Sequence, residues 1–76
     1  MDKIERWKIL SNIFLTKKKK VFIHEMNGDI HFCNIISINN DSINIKNFGP
    51  PQRAGKEEEI YWVQIKDFDK YKEVRE

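Results

Sequence analysis

His24, His31 and Cys33 are the residues whose chemistry first suggests a site, because imidazole and thiolate groups bind zinc. If Asn27-Gly28 forms a two-residue turn, His24 lies opposite His31 across a hairpin, with Cys33 further along the same face. A structural zinc site needs a fourth ligand, and the nearest acids are Glu25 and Asp29, of which Glu25 is expected to point to the other face. Packed histidine pairs and core cysteines are more common. We therefore predict no metal site and no cofactor.

Positive charge is concentrated in one segment, the four consecutive lysines Lys17–Lys20, with Arg53 and Lys56 further along the chain. Such groups can bind phosphates, with an affinity that depends on salt and not on base sequence. Charge runs more often keep turns in water, and this interpretation is favoured for the lysine block and for the acidic stretch Glu57–Glu59. The net charge of +2 and the pI near 8.7 permit nucleic acid as a partner without requiring it.

The sequence predicts a binding protein and not an enzyme. It has neither a Gly-x-Ser-x-Gly nor a His-Glu-x-x-His motif, and 76 residues are too few to enclose a deep cleft. Cys33 is the only cysteine, which excludes an internal disulfide and favours a reducing, cytoplasmic location. We expect neither a signal peptide nor a membrane span, because charges interrupt the first residues and no run of about 20 apolar residues follows.

An amphipathic helix is predicted from Asp2 to Leu15, with Asp2 as its cap and Glu5 as the capping-box partner. One face carries apolar side chains at helical spacing, namely Ile4, Trp7, Leu10 and Phe14, widened by Ile9 and Ile13. In so short a chain this face must pack on a sheet or on another subunit. A helix on a membrane surface is the alternative, and the mixture of acids and bases on the polar face disfavours it.

Five antiparallel strands are predicted after the helix. They are Val21–Met26, Asp29–Ile38, Ser42–Phe48, Glu59–Ile65 and Lys70–Val74, with turns at Asn27-Gly28, Asn39–Asp41 and Lys66–Asp69. Asn-Gly favours a two-residue turn with positive φ at both positions. The second and fourth strands are apolar on both faces, which is typical of strands that bend around a barrel. Tyr61 and Trp62 in the fourth strand are expected in the core or at a subunit interface rather than stacked on bases.

The predicted architecture is mainly β, a single domain of residues 1–76 with an N-terminal helix (1–15) and a five-stranded, strongly bent antiparallel barrel (21–74). Five short strands leave two edges, and exposed edges invite pairing with another chain. If the fourth strand of one subunit pairs with the fifth strand of the next, the subunits form a homo-oligomeric ring.

The first strand and its turn have a recognisable pattern. Val21, Ile23, Asn27 and Gly28 fit the opening V-x-V-x-L-x-[ND]-G, and Ile35 fits an apolar position after a second Gly further on. In this pattern, and in the order of helix, variable fourth loop and last two strands, the chain resembles the Sm-like (LSm/Hfq) family. The resemblance implies an SH3-like/Sm-like barrel that assembles into a ring and binds single-stranded RNA in the loops after strands two and four.

Carried over by position, the resemblance implies these RNA-binding residues: Asn39, Asp41, Asn44, Lys66 and Phe68. The position that stacks on the base falls on Asp41 or Ser42, neither of which can stack, and Phe68 is the nearest aromatic that could replace it. Lys66 stands where the family has Arg. A structural or protein-interaction barrel that has lost the RNA site is therefore the alternative. A third possibility is a monomeric SH3-like or Tudor-like barrel that binds a protein tail.

Overall fold

The computed structural model describes residues 2–49 and 51–70, and it describes side chains as far as Phe68. The elements in these residues are α1 (Lys3–Lys17), β1 (Lys20–Glu25), β2 (Ile30–Ile38), β3 (Ser42–Gly49), β4 (Glu57–Tyr61), a 3-10 helix (Trp62–Gln64) and β5 (Ile65–Lys70). The strands form one antiparallel sheet in the order β4-β3-β2-β1-β5. The predicted class, mainly β with an N-terminal helix before five antiparallel strands, is confirmed. Over the described residues the sheet is not closed, and β4 and β5 are its edges.

The helix ends inside the lysine block. Lys18 takes the left-handed conformation (φ 54°), its N–H donates to Leu15 O, and the N–H of Lys19 donates to Phe14 O at 3.0 Å. Such a left-handed cap satisfies carbonyls that the end of a helix leaves without partners. The block thus contains the last residue of α1, its cap and the first residue of β1. At the other end Asp2 is the N-cap residue, but its side chain makes no capping hydrogen bond, so the predicted capping box is absent.

The buried face of α1 is narrower than the sequence predicts. Trp7, Ser11 and Phe14 are buried, whereas Ile9 and Ile13, which were expected to widen the face, are exposed. The helix covers the core formed by the inward side chains of the strands. This core consists of Val21, Ile23, Cys33, Ile35, Ile43, Ile45, Ile60, Trp62, Ile65 and Phe68, together with Trp7 and Phe14 of the helix.

The β1–β2 connection is a three-residue loop, Met26–Gly28, and the predicted two-residue turn is wrong. The N–H of Glu25 donates to Asp29 O at 2.8 Å, and of the loop residues only Gly28 has a positive φ, 98°. This is the loop in which one left-handed glycine completes the turn. Register shifts by one residue, so that His24 pairs with Ile30 and Ile23 pairs with His31.

The predicted fourth strand, Glu59–Ile65, is two elements separated by the 3-10 helix. The main-chain N–H of Trp62 still donates to Asp41 O at 3.0 Å, in register with the β3–β4 pairs, and its indole N–H lies 3.0 Å from Asn40 O. The chain turns after Trp62, where the N–H of Ile65 donates to Trp62 O. Residues 66–69, predicted to form a turn, belong to β5. The predicted fifth strand, Lys70–Val74, lies outside the described residues except for Lys70, the last residue of β5.

Candidate nucleic-acid interface

The five residues implied by the resemblance are not brought together. Asn39 and Asp41 lie in the β2–β3 turn and are exposed, and Lys66 is exposed on β5. Asn44 is half-buried on β3, where its amide donates to Ser37 Oγ at 2.9 Å. Phe68 is in β5 and only 9% exposed. The five residues therefore do not form one pocket.

Asn39 and Asp41 line a groove between α1 and the 3-10 helix, with a volume of about 720 Å³. Its walls include two exposed apolar side chains, Tyr61 and Val63, which are 48% and 70% exposed. Hydrogen bonds from Trp62 to the β2–β3 turn connect the two sides of the groove. The β2–β3 turn thus meets the 3-10 helix, and neither Asn44 nor Lys66 lines this groove.

The charges in the groove do not suit a phosphate backbone. Asp41 and Glu59 contribute carboxylates, and Lys8 is the cation among the lining residues. The amide of Asn39 is already hydrogen-bonded within the protein, since it donates to Ser42 Oγ at 3.0 Å. The Ser42 hydroxyl in turn donates to Glu59 Oε2 at 2.5 Å. A negatively charged polymer would meet two carboxylates for each ammonium group.

Phe68, implied by the resemblance as a ring that could stack on a base, lies in the core. Its ring lies 5.0 Å from the ring of Trp7 and 6.2 Å from the ring of Phe14. These contacts join β5 to the buried face of α1. A base could reach Phe68 only if the helix moved away.

The opposite, outer face of the sheet carries a set of residues that was not predicted from the sequence. Three phenylalanines from adjacent strands stand side by side, with ring centroids 4.8 Å apart for Phe22–Phe32 and 5.8 Å apart for Phe32–Phe48. Phe48 is 40% exposed. Lys20 and Lys46 lie in the next row, since both pair with the same β2 residue, Asn34. We call Lys20, Phe22, Phe32, Lys46 and Phe48 the aromatic–lysine face.

The geometry of the aromatic–lysine face combines two properties that single-stranded nucleic acid uses. Lys20 Nζ lies 4.7 Å from the centroid of the Phe48 ring, and Lys46 is exposed beside it. Exposed aromatic rings provide planes on which bases stack, and ammonium groups attract the phosphates. Alternation in the strands could have revealed this face, because Lys20 and Phe22 are two apart in β1, as are Lys46 and Phe48 in β3.

The three residues weighed as zinc ligands do not form a cluster. The register places His31 and Cys33 on the buried face and His24 on the other face. Contrary to prediction, Glu25 shares the face of His31, and its Oε2 lies 2.5 Å from His31 Nε2. Burial, with a smaller contribution from the charge of Glu58, raises the pKa of the Cys33 thiol to about 12. Cys33 is therefore a protonated core residue and not a ready thiolate ligand.

Comparison with known proteins does not identify a family. No protein-family model matches the sequence, and no curated protein does so. In the described part of the chain, none of the helical structure has both the length and the apolar character needed to cross a bilayer.

Proposed function

We propose that this protein binds single-stranded RNA and that the bases stack on the aromatic–lysine face. The observation that supports the proposal is the row of three adjacent phenylalanine rings on the outer side of the sheet, bordered by Lys20 and Lys46. Base–aromatic stacking contributes about 1–3 kcal/mol per base and tolerates any sequence. Lysines at the border add a salt-dependent attraction for the phosphates.

The aromatic row also has a structural role. Cross-strand aromatic pairs contribute roughly 0.2–1 kcal/mol each to sheet stability. Phe22 and Phe32, which are half-buried, contribute most to that role. Phe48 is the more exposed ring and lies beside Lys20, so its removal separates the two roles most clearly.

The experiment is a titration of fluorescently labelled oligo-U and oligo-A RNA, followed by anisotropy at about 50 mM and about 200 mM salt. We expect Phe48→Ala to weaken binding roughly 5- to 150-fold, which corresponds to the loss of about 1–3 kcal/mol of stacking. In the double variant with Lys20→Ala and Lys46→Ala, the slope of log K against log salt concentration is expected to become shallower by about 0.7 for each lysine removed. Tyr61→Ala is the matched control, because Tyr61 is an equally exposed aromatic in the groove.

Two results would contradict the proposal in different ways. If the wild-type protein has no affinity for RNA at low salt, the function itself is wrong. If Tyr61→Ala abolishes binding while Phe48→Ala leaves it intact, RNA binds in the groove and the aromatic–lysine face is not the interface. Circular dichroism of each variant shows whether the sheet is retained.

We also propose a homo-oligomer in which β4 of one copy pairs with β5 of the next. The strand order supports this arrangement, because it leaves these two strands at opposite edges of the sheet. Light scattering on a sizing column, run with and without the RNA, gives the subunit number. A monomer under both conditions would refute the ring while leaving the stacking proposal open to its own test.

A protein-interaction module is the second candidate function. The groove supports it, because Tyr61 and Val63 expose apolar surface beside the carboxylates of Asp41 and Glu59. Such a surface fits a basic peptide with an apolar anchor. Binding of a Lys-rich peptide that Tyr61→Ala abolishes, in a protein indifferent to RNA, would establish this alternative.

A further inference from the structure

We propose that Glu25, Asp29 and His31 form a binding site for a divalent transition-metal ion, with Zn²⁺ as the best match. This inference is independent of RNA binding. One ligand atom from each of the three side chains lies within 4.8 Å of the other two. In a tetrahedral zinc site the bonds are about 2.0–2.2 Å long, which places neighbouring ligand atoms roughly 3.3–3.6 Å apart. To reach this spacing, the carboxylate of Asp29, whose side chain is 51% exposed, has to move towards the other two ligands. The ligand atoms of Glu25 and His31 have to move slightly apart.

The imidazole of His31 is held with one nitrogen towards the carboxylates. Its Nε2 lies 2.5 Å from Glu25 Oε2, and on the far side of the ring Nδ1 lies 3.4 Å from Asn47 Oδ1. Asn47 is buried and is fixed in turn, because its amide donates to Glu58 Oε2 at 3.1 Å. Histidines that bind metals nearly always give their second ring N–H to such an acceptor, which fixes the tautomer and the ring orientation.

The charge around His31 matches a divalent cation. Glu25, Asp29 and Glu58 contribute three carboxylates and Arg53 contributes one guanidinium, which gives a formal charge of −2 when the imidazole is neutral. Arg53 is the cation now closest to Asp29, with Nη2 4.0 Å from Oδ2, and its Nη1 lies 3.5 Å from His31 Nδ1. An ion bound to Asp29 would replace this long contact, and the flexible guanidinium can withdraw because it is only half-buried.

The ligand types favour zinc over the hard cations. One imidazole and two carboxylates, with water in a fourth position, form a mixed nitrogen and oxygen set that suits Zn²⁺ and Co²⁺. Ca²⁺ and Mg²⁺ prefer oxygen ligands alone. Glu25 and Asp29 flank the Met26–Gly28 loop, and His31 follows in β2. A bound ion would thus link β1 to β2 across the loop and stabilise the folded state of a domain whose core is small.

The experiment uses the full chain, freed of any histidine tag and of metal, with Co²⁺ as the spectroscopic probe and Zn²⁺ as the competitor. We expect visible Co²⁺ absorption bands of a tetrahedral nitrogen and oxygen site, which Zn²⁺ abolishes. We also expect a rise in Tm with Zn²⁺ and none with Mg²⁺. The near-ultraviolet band of a cobalt–thiolate bond should be absent, because Cys33 is not a ligand.

Asp29→Asn is the test variant, because an exposed side chain can be changed without unfolding the protein. It should weaken Co²⁺ and Zn²⁺ binding at least tenfold, as expected for the loss of a charged ligand. Asp41→Asn is the matched control, an exposed aspartate in the other hairpin turn, and should bind like the wild type. The proposal is refuted if the wild type gives no cobalt bands and no Tm shift, or if Asp29→Asn binds as tightly as Asp41→Asn.

Discussion

Phe68→Ala is the substitution that best tests how the helix is attached to the sheet. Phe68 is 9% exposed, and its ring contacts those of Trp7 and Phe14, the two large buried side chains of α1. Truncating a buried phenylalanine to alanine costs about 3–5 kcal/mol, from lost apolar burial and the cavity left behind. The core of a domain of this size rarely supplies more than about 3–5 kcal/mol of net stability. We therefore expect Phe68→Ala to be largely unfolded at 25 °C.

Two further variants make the effect measurable. Phe68→Leu keeps most of the volume and should cost less than about 1.5 kcal/mol, so that a complete urea unfolding curve can be recorded. Phe48→Ala is the control for residue type, because Phe48 is 40% exposed and loses less buried area. Far-UV circular dichroism gives the free energy of unfolding, and the fluorescence of the two buried tryptophans, Trp7 and Trp62, reports on the packing of the core.

A free energy of unfolding of Phe68→Ala within about 0.5 kcal/mol of the wild-type value, a range typical of surface positions, would contradict the burial of this ring. A folded Phe68→Ala that had also lost affinity for RNA would show that this ring is exposed and stacks on a base. In that case the packing of α1 described above would be wrong.

Two other substitutions test buried polar groups. Ser11 is fully buried, and its hydroxyl has no hydrogen-bond partner among the described residues, so we expect Ser11→Ala to increase the free energy of unfolding in urea by about 0.5–1 kcal/mol; a decrease of that size would contradict this. The pKa of the Cys33 thiol rises from 9.0 to about 12, mainly through burial, so the unfolded state loses the proton first. The free energy of unfolding should fall between pH 9 and about pH 12 with a slope approaching 1.4 kcal/mol per pH unit. Cys33→Ala should lack this contribution to the slope. Identical slopes for the two proteins would refute the raised pKa of the Cys33 thiol.

The strands were predictable where alternation and turn residues agreed. The bounds of β2 and β3 differ from the predicted ones by a single residue, and the turn at Asn39–Asp41 is where the sequence places it. The register of the first hairpin was not predictable, because Asn-Gly is compatible with a two-residue and with a three-residue loop. That one-residue difference changes which side chains share a face. It is why His31 meets Glu25 and not His24.

The 3-10 helix and the aromatic–lysine face depend on contacts between residues far apart in the sequence. Trp62 lies in an apolar run that favours a strand, but it begins the 3-10 helix, and its indole N–H lies close to carbonyls of the β2–β3 turn. Phe22, Phe32 and Phe48 come from three strands and meet only through the register of the sheet. Alternation places the lysine and phenylalanine of β1, and those of β3, on one face of their strand, but no local pattern says which strands lie side by side. The predicted site was placed in the loops because the resemblance implied it.

The capped end of α1 has a consequence for the lysine block. A disordered basic segment has to order its backbone when it binds a polyanion, at a cost of about 1–2 kcal/mol per residue. Lys17–Lys20 already belong to the last turn of the helix, its left-handed cap and the start of β1. Folding has therefore fixed the backbone spacing of four ammonium groups before any ligand arrives. If an anion binds to these lysines, only their side-chain torsions remain to be ordered. The conformational entropy cost of binding is therefore smaller than for a disordered basic segment.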